Sequence, residues 1–186
     1  GLAAGVVLIA AMTLWWIGRL HQDFYVMFLA APLAGATFGF LRWNFPPARV
    51  FMGDTGSQFL GLTLAAATLL ENRKGTATIT LLLPLVALGL PIADGMLAFA
   101  RRLARRTHVF HADSAHLHHR LLHLGLSPRA ATFVLWGVSL ALGAIAILLE
   151  GVPRSVGWMT LAALALVLWI AFAVLERMDR SGRGRR

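Results

Sequence analysis

Long apolar runs separated by short polar loops constrain this chain more than any other feature. Residues 2–17, 24–41, 58–70, 76–100, 129–149 and 156–175 form six such runs. A helix needs roughly 20 apolar residues to cross the hydrocarbon core of a bilayer. The runs approach or reach that length, so the expected fold is all-α: a polytopic membrane helix bundle of about six transmembrane helices. Composition agrees. The chain is 58% hydrophobic, with a mean hydropathy of +0.72, too apolar for an ordinary soluble domain. It contains no cysteine, which excludes disulfides and thiolate metal sites.

The runs differ in character. Leu2–Ile17 is slightly short and ends near Trp15 and Trp16, where interfacial aromatics belong. Arg19, His21 and Asp23 make a short loop before Phe24–Leu41. Gln58–Leu70 is a short third span. Begun at Asp54, it would measure about 25 Å at 1.5 Å per residue, which puts Asp54 at or just below the membrane interface. Thr76–Ala100 is interrupted by Pro84, Pro91 and Asp94, and a segment rich in Arg and His follows from Arg101 to Ser127. Arg129–Leu149 and Val156–Leu175 complete the set. Residues 1–175 read as one membrane domain and 176–186 as a basic cytoplasmic tail, expected to be disordered. The opening Gly1, with no Met or charged leader before the first run, reads as the middle of a longer protein.

Seventeen Lys and Arg against eight Asp and Glu give a formal charge of +9, and sixteen of the seventeen cations are Arg. In a soluble protein that excess points to nucleic acid. Here the cations lie between apolar runs, so the expected partner is the lipid bilayer and no nucleic acid. With six spans, thirteen cations fall on the side shared by the two ends, the 42–57 loop and the 101–129 segment, and four on the other. The positive-inside rule then places those loops in the cytoplasm.

Two polar constellations interrupt the runs. The first is Asn44–Gly61, NFPPARVFMGDTGSQFLG. Pro46 and Pro47 stop the helix arriving from upstream and bias Phe45 toward an extended conformation. Gly53 and Gly56 permit a tight turn or the close approach of a ligand. Thr55 or Ser57 is expected to cap a helix beginning near Gln58. Asp54 lies beside that helix start, where phosphate binds readily and where a carboxylate suits a hard divalent cation. A capped turn between two membrane helices explains the same residues.

The second constellation runs from Asp94 to His123. Asp94 sits late in a span, and intramembrane carboxylates either pair structurally or serve a wet functional cavity. Six of the seven histidines fall between His108 and His123, around Asp113, His116, His118, His119 and Arg120. An interfacial segment whose leucines dip into lipid accounts for them; so does a zinc site, although without cysteine.

Both constellations resemble the signatures of one family. Asn44, Pro47-Ala48, Val50-Phe51-Met52-Gly53-Asp54 and Gly56-Ser57 resemble the signature loop of the polyprenyl-phosphate N-acetylhexosamine-1-phosphate transferases, a glycosyltransferase family 4 type. The undecaprenyl-phosphate N-acetylglucosamine-1-phosphate transferases are the nearest members, and the phospho-MurNAc-pentapeptide translocases belong to the same group. Pro91-Ile-x-Asp94, Arg101-Arg102 and Asp113-x-x-His116-Leu117-His118-His119-Arg120-Leu121 resemble the second signature, with Ser114 where relatives often carry a basic residue. Gly1–Gly5 resembles the segment that follows the family's Asn-x-x-Asp-Gly-x-Asp loop, so the resemblance covers the C-terminal portion of such an enzyme.

The resemblance implies transfer of an N-acetylhexosamine 1-phosphate, GlcNAc-1-phosphate first among them, from a UDP-sugar to undecaprenyl or another polyprenyl phosphate. UMP is released, in cell-wall, lipopolysaccharide or other surface-polysaccharide synthesis. It implies Mg²⁺, with Mn²⁺ as an alternative, and Asp54 as a metal ligand and catalytic residue. His116, His118 and His119 would orient or stabilise phosphate oxygens. Phe51 would stack on uracil and Asn44 contact the nucleotide side, with Gly53, Gly56 and Ser57 completing the loop. Arg101, Arg102 and Arg120 would screen charge. The implied location is the bacterial inner membrane with the site facing the cytoplasm, and the resemblance allows a homodimer. The family's paired aspartates have no counterpart in these residues. A six-span transporter or scaffold with a His-rich metal-binding loop is the rival reading; it accounts for the histidines but not for Asn44, Phe51, Gly53, Asp54, Gly56 and Ser57 occurring together.

Overall fold

The computed structural model describes residues 1–71, 121–122, 124–149, 152–153, 155–160, 162–163, 166–167 and 170. The described residues are helical or loop, with no strand among them. Four helices organise them: α1 Leu2–Leu20, α2 Phe24–Asn44, α3 Gly53–Glu71 and α4 Pro128–Leu148. Three of these, α1, α2 and α4, are long and apolar enough to cross a membrane. The expected spans Leu2–Ile17, Phe24–Leu41 and Arg129–Leu149 coincide with them to within about one turn. The described positions from 155 to 170 are helical, as expected for the start of Val156–Leu175. The expected span Thr76–Ala100 and the 176–186 tail lie outside the described residues.

The expected third span needs correction. Its helix starts at Gly53 rather than near Gln58, so Thr55 and Ser57 lie inside the first turns and not at a cap. Ser57 Oγ instead donates back to the Asp54 carbonyl at 2.9 Å. The turn into the helix is made by Gly53 itself, whose φ of +66° suits a residue without Cβ. With Asp54, Thr55, Ser57, Gln58 and Thr63 along it, α3 is not among the helices apolar enough to span.

Helix α1 is the hub, touched by the other three. Its buried residues include Ala4, Gly5, Ala10, Ala11 and Gly18, and such small residues let helix backbones approach closely. Ala10, Ala11 and Leu14 pack with Val26, Ala30 and Leu33 of α2 and with Leu64 and Ala67 of α3. Further along α1, Ile17 joins Leu135, Leu142 and Ala146 of α4 in a second cluster. Asp23 starts α2 by accepting hydrogen bonds from the Tyr25 and Val26 amides, and Ser127 starts α4 by accepting from Ala130, with Pro128 at the first helical position. Polar side chains within the helices turn back onto their own backbone: Thr13 donates to Ile9 O, Thr37 to Leu33 O and Ser139 to Leu135 O.

The topology gathers four chain segments at one end of the bundle. The tight turn at 21–23 makes α1 and α2 antiparallel, which brings Gly1 against Pro46, Phe45 and Asn44. The 45–52 loop and the start of α3 lie at that same end, and the start of α4 joins them, because Arg129 bonds Pro46.

Candidate functional site

The loop between α2 and α3 is held in a defined shape. Phe45, with φ −65° and ψ 140°, is extended and closes α2, as the two following prolines require. Its amide still donates to Leu41 O at 2.8 Å. The chain then folds back, so that the Arg49 and Val50 amides both donate to Trp43 O, at 2.8 and 3.2 Å. Asn44 is buried, and its Nδ2 donates to Val50 O at 2.8 Å, which clasps the two ends of the turn together. Beyond the clasp, Phe51 is 81% exposed. Asp54 is also exposed, in the first turn of α3, where the positive end of the helix dipole favours a carboxylate.

Helix α4 buttresses this loop. Arg129 Nε donates to Pro46 O at 3.0 Å. The Phe45 ring packs at 5.4 Å from Phe133 and 5.6 Å from Trp136, and those two rings meet edge to face. Trp136 in turn lies directly over Gly5, and its buried Nε1 has no hydrogen-bond partner among the described residues. One described end of the bundle thus carries Arg42, Arg49 and Arg129 around an exposed aromatic ring and an exposed carboxylate, whereas Arg19 lies at the other end.

Residues 1–72, which include α1, α2, the loop and α3, match the model of the family described as glycosyl transferase family 4. These residues place the chain in glycosyl transferase family 4. The chain is 35% identical, over 150 residues, to a probable undecaprenyl-phosphate N-acetylglucosaminyl 1-phosphate transferase from Bacillus subtilis; the match takes in 81% of this chain and 42% of that protein. It is 36% identical over 201 residues to a decaprenyl-phosphate N-acetylglucosaminephosphotransferase from Mycobacterium leprae, covering 96% of this chain and 50% of the relative. A phospho-N-acetylmuramoyl-pentapeptide-transferase from Clostridioides difficile is 32% identical over 152 residues, covering 80% and 44%. The chain spans about half the length, or less, of these relatives. The transporter or scaffold alternative gains no support from them.

Within this family 4 chain, Asn44, Phe51, Gly53, Asp54, Gly56 and Ser57 come together on one loop and the helix start that follows it. Gly56 abuts Met52, so a side chain there would displace it. His116, His118, His119, Arg101, Arg102 and Arg120, with Asp94 and Asp113, lie outside the described residues. The sequence reading missed Arg129, which reads there simply as the first residue of a span, and the Phe45–Phe133–Trp136 cluster. A charged residue at the foot of an apolar run was the one available signal for Arg129.

The donor set can be weighed against the implied metal. No group of three or more His, Cys, Asp or Glu side chains occurs among the described residues. Among the described residues, Asp54 is the single carboxylate at the loop. Mg²⁺ is commonly held by one or two carboxylates together with substrate phosphates and water, so an exposed Asp54 fits as one protein ligand of such an ion.

Proposed function

We propose that this chain carries the nucleotide-facing signature loop of a phospho-N-acetylhexosamine transferase. In this reading the enzyme moves the sugar 1-phosphate of a UDP-N-acetylhexosamine, GlcNAc foremost, onto a polyprenyl phosphate and releases UMP. The observation that carries it is the clasped loop. Asn44 and Trp43 hold a turn that presents Phe51 outward and leads directly into Asp54 at the start of α3. An aromatic ring left 81% exposed beside a carboxylate and a helix N-terminus suits a ligand with a flat base and a diphosphate. The names of the relatives supply the reaction class.

Each described residue then has a role. Phe51 offers a face on which uracil stacks. Asn44 shapes the loop, since its amide nitrogen is engaged within it. Gly53, with its positive φ, makes the turn into α3, whose first amides have no partner within the helix. Asp54 would hold Mg²⁺, which when bound neutralises charge on the diphosphate. Arg42, Arg49 and Arg129 make that end of the bundle positive, which draws anionic substrates and, by the positive-inside rule, faces the cytoplasm. His116, His118, His119, Arg101, Arg102 and Arg120 are proposed to complete the phosphate contacts.

The test is UMP release from UDP-N-acetylglucosamine and a polyprenyl phosphate, with this chain alone and with the chain co-expressed with the N-terminal half of the Bacillus subtilis relative. One described carboxylate is a weak site for two anionic substrates, so turnover is expected only in the second case. Absence of turnover in both, with both halves in the membrane, would defeat the transferase reading. A separate expectation concerns orientation. Single cysteines at Ser57 and His21, at opposite ends of the α1–α2 hairpin, should be labelled from the cytoplasmic and the outer side respectively. Labelling of Ser57→Cys from outside intact cells would reverse the topology.

A further inference from the structure

We infer that Arg129 is a positioning residue: through it, α4 sets the geometry of a signature loop that lies 83 residues away along the chain. The consequence for turnover rests on the transferase reading above; the contact itself does not.

The loop has an evident weak point. Pro46 and Pro47 lack N–H groups, so this part of the turn can be tied down only through its carbonyls. Downstream of them the loop is secured by its own bonds, from Arg49 and Val50 to Trp43 O and from Asn44 to Val50 O. Upstream, the Phe45 ring is packed against both Phe133 and Trp136. Ring packing fixes where Phe45 sits, but it does not fix the plane of the Pro46 carbonyl. Arg129 does, by donating from Nε at 3.0 Å. Nε lies within a planar guanidinium and donates in one fixed direction, so the bond specifies orientation as well as distance. Arg129 and Phe133 are one turn apart on α4 and therefore share a face. A single stripe of α4 thus grips the loop entry with a polar contact and an aromatic one. Phe51 and Asp54 follow that entry with no other described anchor to α4, so tilting the Pro46 peptide tilts them as well.

The experiment uses the full chain in lipid nanodiscs, read by amide hydrogen exchange. In Arg129→Gln, exchange at Arg49 and Val50 is expected to quicken about tenfold, the lower range for a hydrogen bond from a charged donor, with α1 and the body of α4 unchanged. Arg129→Lys, which keeps the charge but not the planar, fixed-direction donor, is expected to restore only part of the protection. Unchanged exchange in the loop overturns the inference. So does an equal rise in α1 and α4, which would make Arg129 a general stabiliser. In the co-expressed pair, Arg129→Gln is expected to lower kcat up to about 10²-fold while KM for UDP-N-acetylglucosamine moves less than about threefold, as for misplaced reacting groups. A raised KM with kcat preserved would overturn the positioning role. An inactive wild-type pair would instead count against the transferase reading, and the exchange result would still decide whether Arg129 holds the loop.

Discussion

Asp54→Asn is expected to lower UMP release by about 10²-fold or more in the co-expressed pair, because it removes the single described carboxylate at the loop from a reaction that depends on holding two anions in line. The substitution keeps size and shape. Asp54 is exposed, so no packing is lost. Its local contribution is the favourable placement of a negative charge in the first turn of α3, worth about 0.5 kcal/mol at an exposed site. Stability should therefore barely change while turnover collapses. A neutral amide is also a poorer ligand for a hard cation, so the residual activity should need more Mg²⁺ to saturate. Asp54→Glu, which restores the charge on a longer arm, should recover part of the Mg²⁺ response but less of kcat. Near-normal turnover in Asp54→Asn would remove Asp54 from the site.

How much of this was legible beforehand differs from element to element. Helices α1, α2 and α4 were readable because length and apolarity are imposed by the bilayer, and because the short loop with Asp23 and the Pro46-Pro47 pair punctuate the runs. The extended Phe45 followed from the prolines after it. The start of α3 was misread. Thr55 and Ser57 are good capping residues, but Gly53 reaches a left-handed φ two residues before the first of them, and the helix starts there. Local propensity at Ser57 was overridden by the turn that precedes it.

The site shows the same division. Phe51, Gly53, Asp54, Gly56 and Ser57 share one short stretch, so sequence alone could group them. Arg129, Phe133 and Trp136 reach the loop only because α1 and α2 form a hairpin and α4 returns to its open end. No spacing in the chain records that return. Asn44 shows the limit in another way: the sequence marks it as part of the loop, but only the structure shows its amide closing the turn on Val50.

Gly5→Ala is expected to destabilise the bundle by about 3 kcal/mol, at the upper end of the usual cost of overpacking. A methyl group at Gly5 would fall on the six-membered edge and Nε1 of the Trp136 indole. That ring cannot swing aside freely, because Phe45 and Phe133 sit 5.6 Å from it on other sides. Either α1 and α4 move apart or the aromatic cluster is displaced. Between membrane helices the loss is felt mainly as lost packing, since lipid is as apolar as the side chains themselves. The partner change, Trp136→Leu, leaves space and also removes an indole N–H that is buried without an acceptor among the described residues. It should therefore cost less than the 3–5 kcal/mol typical of emptying a large aromatic site, roughly 2 kcal/mol. In the double variant the new methyl enters the vacated space, so the two costs should not add. A coupling of about 2 kcal/mol in favour of the double variant is expected from a double-mutant cycle measured by steric trapping in bicelles. Coupling below about 0.5 kcal/mol, the range for independent sites, would show that Gly5 and Trp136 are not in contact. The cycle also reaches the loop. Trp136 bears on Phe45, and Phe45 leads into Pro46, so Gly5→Ala should speed hydrogen exchange at Arg49 and Val50 as well as in α1 and α4. Arg129→Gln should leave the two helices untouched. The pair of variants thereby separates a loop that loses its anchor from a bundle that loses its packing.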